Sequence, residues 1–126
     1  MVEGTITDGR RIAELLSSEI HGHERGPLGR LTVVDADRDA EPAEFGSFSY
    51  GVDVDGERLA DVYIHPDRVR VEFRGRVETA TREADGAGLR ARPKAVDPPR
   101  TLVFVESGAD VKPALAVFEA AAASVQ

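Results

Sequence analysis

The stretch that decides the fold runs from Gly46 to Arg74 and reads GSFSYGVDVDGERLADVYIHPDRVRVEFR. Apolar residues occupy alternate positions in three runs, which is typical of half-buried strands. The runs are Phe48, Tyr50, Val52 and Val54; Ala60, Val62 and Ile64; and Val69, Val71 and Phe73. Asp55-Gly56 suits a type I′ hairpin turn, and His65-Pro66-Asp67-Arg68 suits a second turn. The stretch therefore predicts a three-stranded antiparallel meander with one apolar and one polar face.

Helical patterns precede and follow this meander in the sequence. From Asp8 to His21 the apolar residues recur at the spacing of an amphipathic helix, which Asp8 or Thr7 can cap and which Gly22 would end. Ser107 and Asp110 match a capping box ahead of a C-terminal helical stripe that runs from Val111 to Val125. Residues 76–85 predict a short helix, although their apolar stripe is thin and a strand stays an alternative.

Three further strands complete the predicted sheet. Residues 31–34 form a short apolar run, and residues 89–94 predict an edge strand because Pro93 cannot donate to a ladder. Residues 101–106 (TLVFVE) are continuously apolar, which predicts a central strand that is covered on both faces. The predicted fold is a single α+β domain over residues 1–126. Its mainly antiparallel sheet has five to six strands, with an N-terminal helix, a short middle helix and a C-terminal helix packed on the apolar face.

Composition excludes several classes of protein. At 126 residues the chain suits one domain, and the lack of cysteine excludes disulfides, thiolate metal sites and thiol catalysis. The start MVEGTITDGRR has no apolar core of a signal peptide, and no run approaches the roughly 18 apolar residues of a membrane span. We therefore expect a soluble, cytoplasmic protein.

The balance of acidic and basic side chains indicates that the chain works in a salt-rich solvent. It has 23 acidic and 16 basic side chains, and only Lys94 and Lys112 of the basic ones are lysines. In molar salt the Debye length is about 3 Å, so crowded carboxylates repel one another little. A gene rich in G and C would also favour Arg over Lys, which is a second explanation for the scarcity of lysine. The whole chain resembles the small uncharacterised acidic proteins of halophilic archaea, a resemblance that implies no activity.

One block of the chain runs against this acidity. Residues 68–100 carry nine basic and five acidic side chains, a balance of +4. The candidate anion-binding residues are Arg68, Arg70, Arg74, Arg90, Arg92 and Lys94, whose alternation would place them on one sheet face for phosphate, carboxylate, a nucleotide or RNA. In the alternative that we favour, these cations pair with Asp53, Asp55, Glu57 and Asp61 on neighbouring strands. Diffuse phosphate contacts weaken steeply with salt, which also favours internal pairing.

Other candidate sites are weaker. His21 and His23 could ligate a metal with Glu19, Glu24 or His65, but residues i and i+2 of a helix do not share a face, so we predict no metal site. The segment VFVESGAD has the strand–turn–helix order of an anion cradle without the P-loop pattern, and the turn GPLG needs no ligand to explain it. Ser107 lacks the surroundings of a nucleophile, because no G-x-S-x-G motif is present.

These observations favour a non-enzymatic interaction or binding module, which would act through an exposed sheet face, an edge strand or self-association. The predicted partner is another protein or a second copy of the chain, without a cofactor or a membrane. One alternative is an anion, nucleotide or RNA binder that uses the Arg-rich face. Another is an enzyme whose site is assembled from scattered carboxylates and His65.

Overall fold

Three helices pack on one face of a six-stranded sheet in the computed structural model, which describes residues 6–125. The helices are α1 (Gly9–His21), α2 (Val77–Gly86) and α3 (Val111–Ala123). The strands are β1 (Leu31–Val34), β2 (Ser47–Val54), β3 (Glu57–Ile64), β4 (Val69–Phe73), β5 (Ala91–Lys94) and β6 (Arg100–Val105), in the order β1-β2-β3-β4-β6-β5. Every neighbouring pair is antiparallel, so the predicted α+β class is confirmed. The first five residues of the polar start of the chain lie outside the described residues.

The meander forms as its turn chemistry predicts. Asp55 and Gly56 have φ angles of 51° and 85°, the left-handed values that a type I′ turn requires. The second turn closes where the His65 N–H donates to the Arg68 carbonyl at 2.9 Å. The apolar face of the meander is buried under the helices, and the ring centroids of Phe73 and Phe118 of α3 lie 4.9 Å apart. Within residues 6–125 no helix is long and apolar enough to cross a membrane.

The predicted alternation is wrong at Phe48. Phe48 pairs with Tyr63 and Tyr50 pairs with Val62, so β2 has one residue more than β3 over this interval. Such a bulge reverses the side-chain direction beyond it. Phe48 consequently lies on the face that bears no helix, where its ring meets the ring of Tyr63 edge-on with centroids 5.9 Å apart.

The predicted start of α1 is confirmed, whereas the predicted start of the C-terminal helix is wrong. At α1 the carboxylate of Asp8 accepts from the N–H of Arg11 at 3.2 Å, which confirms the cap. At the C-terminal helix the Ser107 side chain makes no capping hydrogen bond. Asp110 instead accepts from the N–H of Glu106 at 3.1 Å, and the 3-10 helix Gly108–Asp110 precedes α3. The predicted Ser107–Asp110 box is therefore wrong, because the 3-10 turn separates Ser107 from the start of α3.

The last two strands refine the predicted sheet. Residues 77–86 are helical, and β5 with Pro93 lies at the sheet edge as predicted. Strand β6 is an interior strand. It lies between β4 and the edge strand β5. Its Thr101, Val103 and Val105 are buried, whereas Leu102 faces away from the helices and is only half-buried. The predicted cover on both faces is therefore complete on the helix side and partial on the other side, where Phe104 is buried beneath Arg90 but Leu102 is not fully buried.

Candidate binding face of the sheet

The side of the sheet that bears no helix, here called the open face, carries most of the predicted anion-binding residues. Arg70 lies in β4, Arg74 follows it, and Arg90, Arg92 and Lys94 lie in or immediately before β5. Strand β6 separates β4 from β5 and brings the cations of both strands towards the same carboxylates. Arg68 lies at the margin, in the turn before β4, where its guanidinium contacts Asp67 at 2.9 Å.

Glu72 is the centre of the open face, although only 1 % of the residue is exposed. Its carboxylate accepts from Nε of Arg70 at 2.9 Å, from Nη1 of Arg100 at 3.0 Å and from Nζ of Lys94 at 3.2 Å. Burial alone would raise the pKa of Glu72, but the hydrogen bonds from Lys94 and Arg100 and the charge of Arg70 outweigh it, so the pKa lies below its ordinary value. Glu72 is therefore an ionised carboxylate beneath three cations.

Asp61 of β3 is a second buried carboxylate in the same network. Nη1 of Arg58 donates to it at 2.6 Å, and Nη1 of Arg74 lies 3.5 Å away. Nη1 of Arg100 lies 3.7 Å from Asp61 while it donates to Glu72, so one guanidinium joins the two carboxylates. The network thus spans β3, β4, β5 and β6.

Arginine and aromatic side chains form a row across the open face. The strand register places Phe48, Tyr63, Arg70 and Phe104 side by side on four strands, and Arg90, immediately before β5, lies next to Phe104. The guanidinium of Arg70 lies 4.4 Å from the ring centroid of Tyr63, and that of Arg90 lies 4.5 Å from the ring centroid of Phe104. Cation–π contact therefore occupies these ring faces.

Most of the predicted anion-binding residues already contact a carboxylate. Arg70 and Lys94 share Glu72, Arg74 contacts Asp61, Arg68 contacts Asp67 and Arg90 contacts Glu106. Arg92 is exposed and contacts no carboxylate within the described part of the chain. Of the four carboxylates expected to pair with these residues, Asp61 does so. Asp53 pairs instead with Arg58, Asp55 pairs with Arg30, and Glu57 forms no ion pair within the described residues. Anion binding by this face stays a prediction.

Sequence reasoning missed three members of the network, namely Glu72, Arg58 and Arg100. The alternation Arg70-Glu72-Arg74 on one strand was a signal of ion pairing along that strand. No comparable signal pointed to Arg100, because its contact with Glu72 depends on which strand lies beside β4.

The charges of the open face differ between its surface and its interior. The side chain of Arg90 is 55 % exposed, and Arg92 and Lys94 also reach solvent. Lys94 pairs with the buried carboxylate of Glu72, whereas Arg90 pairs with Glu106, whose side chain is 45 % exposed, and Arg92 contacts no carboxylate among the described residues. In a chain with a net charge of -7, the open face therefore presents cations to a partner.

A loop is tied to one end of this face by His65. The Nδ1–H of His65 donates to the carbonyl of Glu44 at 2.9 Å, which leaves Nε2 to accept from Arg70 at 3.0 Å. Arg70 also donates to the carbonyl of Phe45 at 3.0 Å, and the Phe45 side chain stands out into solvent with 83 % of the residue exposed. Burial lowers the pKa of His65 and favours the neutral ring. Because both ring nitrogens are engaged, neither is free to act as a general base.

The remaining candidates do not assemble into a site. Nε2 of His23 lies 3.7 Å from Glu19, and His21 is exposed nearby. Among residues 6–125 no three His, Asp or Glu side chains converge as they would around a metal ion. The last three residues of the GPLG segment belong to the 3-10 helix Pro27–Arg30.

Comparison with known proteins places the chain in a family without a characterised member among the matches. No curated protein and no solved structure gives a significant match to the chain. A family profile described as a family of unknown function covers residues 1–126. Because this match spans the whole sequence, the chain belongs to the family of unknown function DUF7993.

Proposed function

We propose that this chain is a non-enzymatic binding module of a salt-rich cytoplasm, and that its open face docks a partner protein through carboxylates of that partner. The observation that carries the proposal is the layering of charge on the open face. Arg90, Arg92 and Lys94 reach solvent. The carboxylate that Lys94 contacts, Glu72, is buried, Arg92 contacts no carboxylate among the described residues, and only Arg90 has a solvent-exposed partner, Glu106. An acidic segment of a partner would meet guanidinium groups that can bind carboxylates bidentately.

A protein partner suits this face better than RNA. Single-stranded RNA binds largely by stacking its bases on open aromatic rings. Here Arg70 covers Tyr63 and Arg90 covers Phe104. Phosphate contacts that depend on counterion release also lose affinity as salt rises, whereas close Arg–carboxylate forks depend less on long-range charge. Arg92, which has no carboxylate partner among the described residues, offers one such fork.

The proposal is tested with two labelled probes, a poly-glutamate peptide and an oligouridylate RNA, by fluorescence anisotropy in molar KCl. We expect the peptide to bind the native chain and to bind the double variant Arg90→Glu, Arg92→Glu at least roughly tenfold more weakly. Arg70 is left unchanged because it contacts Glu72, His65 and the Phe45 carbonyl, so its loss would disturb the fold.

The matched control carries the same change of charge at two exposed positions away from the open face, Arg25→Glu with Arg82→Glu. Peptide binding that this control weakens equally would mean a non-specific charge effect. RNA binding that only the open-face variant abolishes would assign the face to nucleic acid instead. If neither probe binds the native chain, the proposed docking surface is wrong.

The salt-rich setting has its own support and test. Exposed acids such as Asp37, Asp39 and Glu44 crowd the segment between β1 and β2 and form no ion pair within the described residues. Salt screens the repulsion between such groups. We therefore expect the free energy of unfolding, measured with urea, to rise as KCl is raised to molar concentration. A flat or falling dependence would contradict salt adaptation.

A further inference from the structure

A cleft of about 600 Å³ lies between α1 and residues 36–40, on the helix-bearing side of the β1 edge. Its volume falls within the range of roughly 300–1,000 Å³ that is usual for small-molecule sites. Its floor is formed by Val33, Tyr50 and Ile64. These residues face the helices, so the cleft is separate from the open face and from its proposed partner.

The walls of the cleft are held in place by hydrogen bonds. Nη2 of Arg10 donates to the carbonyl of Ala40 at 2.8 Å, which ties α1 to the opposite wall. The N–H of Asp37 donates to the carbonyl of Ser49 at 2.8 Å, which ties the same wall to β2. At the floor the hydroxyl of Tyr50 donates to the carbonyl of Ala13 at 2.8 Å, and burial raises the pKa of this phenol. The site is therefore preformed.

Several polar side chains of the cleft do not contribute to the hydrogen bonding of the fold among the described residues. The hydroxyls of Ser17, Ser18 and Ser49 line it, and so do the imidazole of His21 and the guanidinium of Arg38. None of these groups makes a side-chain hydrogen bond or ion pair in the part of the chain that the structure describes. They are therefore available to a ligand.

The charges of the lining define the class of ligand. Arg38 and Asp37 line the cleft with opposite charges and form no ion pair within the described residues, whereas the other two charged groups of the lining are already paired, Arg10 with Glu41 and Glu14 with Arg11. We infer that the cleft binds a small zwitterion with a carboxylate and an ammonium group, of the size of a free amino acid or a dipeptide. The guanidinium of Arg38 suits the carboxylate, because no acid of the described residues neutralises it. Asp37, which forms no ion pair within the described residues, suits the ammonium group, and Glu14, already paired with Arg11, adds a second negative charge to the lining.

Other ligand classes fit the same lining less well. The phosphates of a nucleotide would lie against Glu14 and Asp37, which would repel them. An uncharged sugar could use the serine hydroxyls but would leave the charge of Arg38 unmatched, and it would gain less from the site. A zwitterion satisfies both signs of charge and the hydroxyls together.

The inference is tested on the full chain in molar KCl by measuring the shift in melting temperature with each free amino acid and a panel of dipeptides. The affinity of the best ligand is then compared by calorimetry with that of its des-amino acid and of its amine. We expect the zwitterion to bind at least roughly tenfold more tightly than either analogue. If no amino acid or dipeptide binds, or if the des-amino acid binds equally well, the inference is wrong.

Two variants locate the site. Arg38→Ala lies in an exposed segment, leaves the core intact and should weaken the best ligand at least roughly tenfold. Ser17→Leu should exclude the ligand by filling the cleft from α1. The control Arg25→Ala removes an exposed arginine outside the cleft and should leave the affinity unchanged.

Unchanged affinity in both Arg38→Ala and Ser17→Leu would place the ligand elsewhere and overturn the inference. The double variant Arg90→Glu, Arg92→Glu should bind the zwitterion normally because it alters only the open face. The cleft and the proposed docking surface can therefore fail independently.

Discussion

Nη1 of Arg100 donates to Glu72 at 3.0 Å, across the boundary between β6 and β4. The two residues are 28 positions apart in the sequence, and the carboxylate that Arg100 reaches is almost wholly buried. Withdrawing a carboxylate from water is costly unless hydrogen bonds and opposite charges surround it. Glu72 has both, and its ion pairs link β4, β5 and β6.

Replacing Glu72 by glutamine should destabilise the fold by about 3 kcal/mol, because Arg70, Lys94 and Arg100 would keep their charges with no anion between them. Urea denaturation in molar KCl measures this loss. The control Glu119→Gln changes an exposed residue of α3 and should have little effect. A loss for Glu72→Gln no larger than for the control would show that the buried pairs add nothing to stability.

Acid should weaken the fold in two stages. The pKa of His65 is lowered, chiefly by burial, so the unfolded chain binds a proton more readily and the stability due to the neutral ring is lost as pH falls from about 6.5 through the folded pKa. The pKa of Glu72 is also lowered, so its contribution is present above about 4.3 and is lost as pH falls through its folded pKa. Unfolding free energies measured across this pH range report both stages.

His65→Asn should remove the first stage of this acid response and leave the second, because the asparagine amide can still donate to the Glu44 carbonyl but does not titrate. His21→Asn alters an exposed histidine and serves as the control. Persistence of the first stage in His65→Asn would assign it to another group.

Gly46→Ala should destabilise the loop that carries Phe45. The φ angle of Gly46 is +89°, and an added Cβ atom would lie 2.8 Å from Nη1 of Arg70. We expect a loss of about 1–2 kcal/mol from the backbone alone, and more if Arg70 shifts. Gly86→Ala in α2, where an added Cβ meets nothing within 4 Å, should be neutral or stabilising. Thermal unfolding compares the two, and equal effects would argue against the close packing of Gly46.

Arg30→Lys should loosen the end of α3. Nη1 of Arg30 donates to the carbonyl of Ala122 at 2.9 Å and to that of Val125 at 3.3 Å, while the same guanidinium also pairs with Asp55. A lysine ammonium is a compact charge that cannot span these acceptors. Faster amide hydrogen exchange in the last turn of α3 is the expected result, with Arg25→Lys as the control. Unchanged exchange in Arg30→Lys would show that the helix end needs no such clamp.

The local elements of this fold were predictable from the sequence because they depend on neighbours along the chain. The alternation of Val69, Val71 and Phe73 predicted β4, and Asp55-Gly56 predicted the tight turn before β3. The cap of Asp8 on α1 was equally local, since its acceptor and donor are three residues apart. The positive balance of residues 68–100 also pointed to a face on which cations collect.

The partners of those cations were decided by the tertiary structure. Arg100 meets Glu72 because β6 lies between β4 and β5, and strand order is not encoded in the period of any one strand. Phe48 faces away from the helices because of a bulge, which needs the register of two strands to be known. The cleft beside α1 likewise brings Ser17, Arg38 and Ser49 together from three separate segments. Sequence patterns report period and turn chemistry, whereas contacts between distant segments depend on how the elements pack.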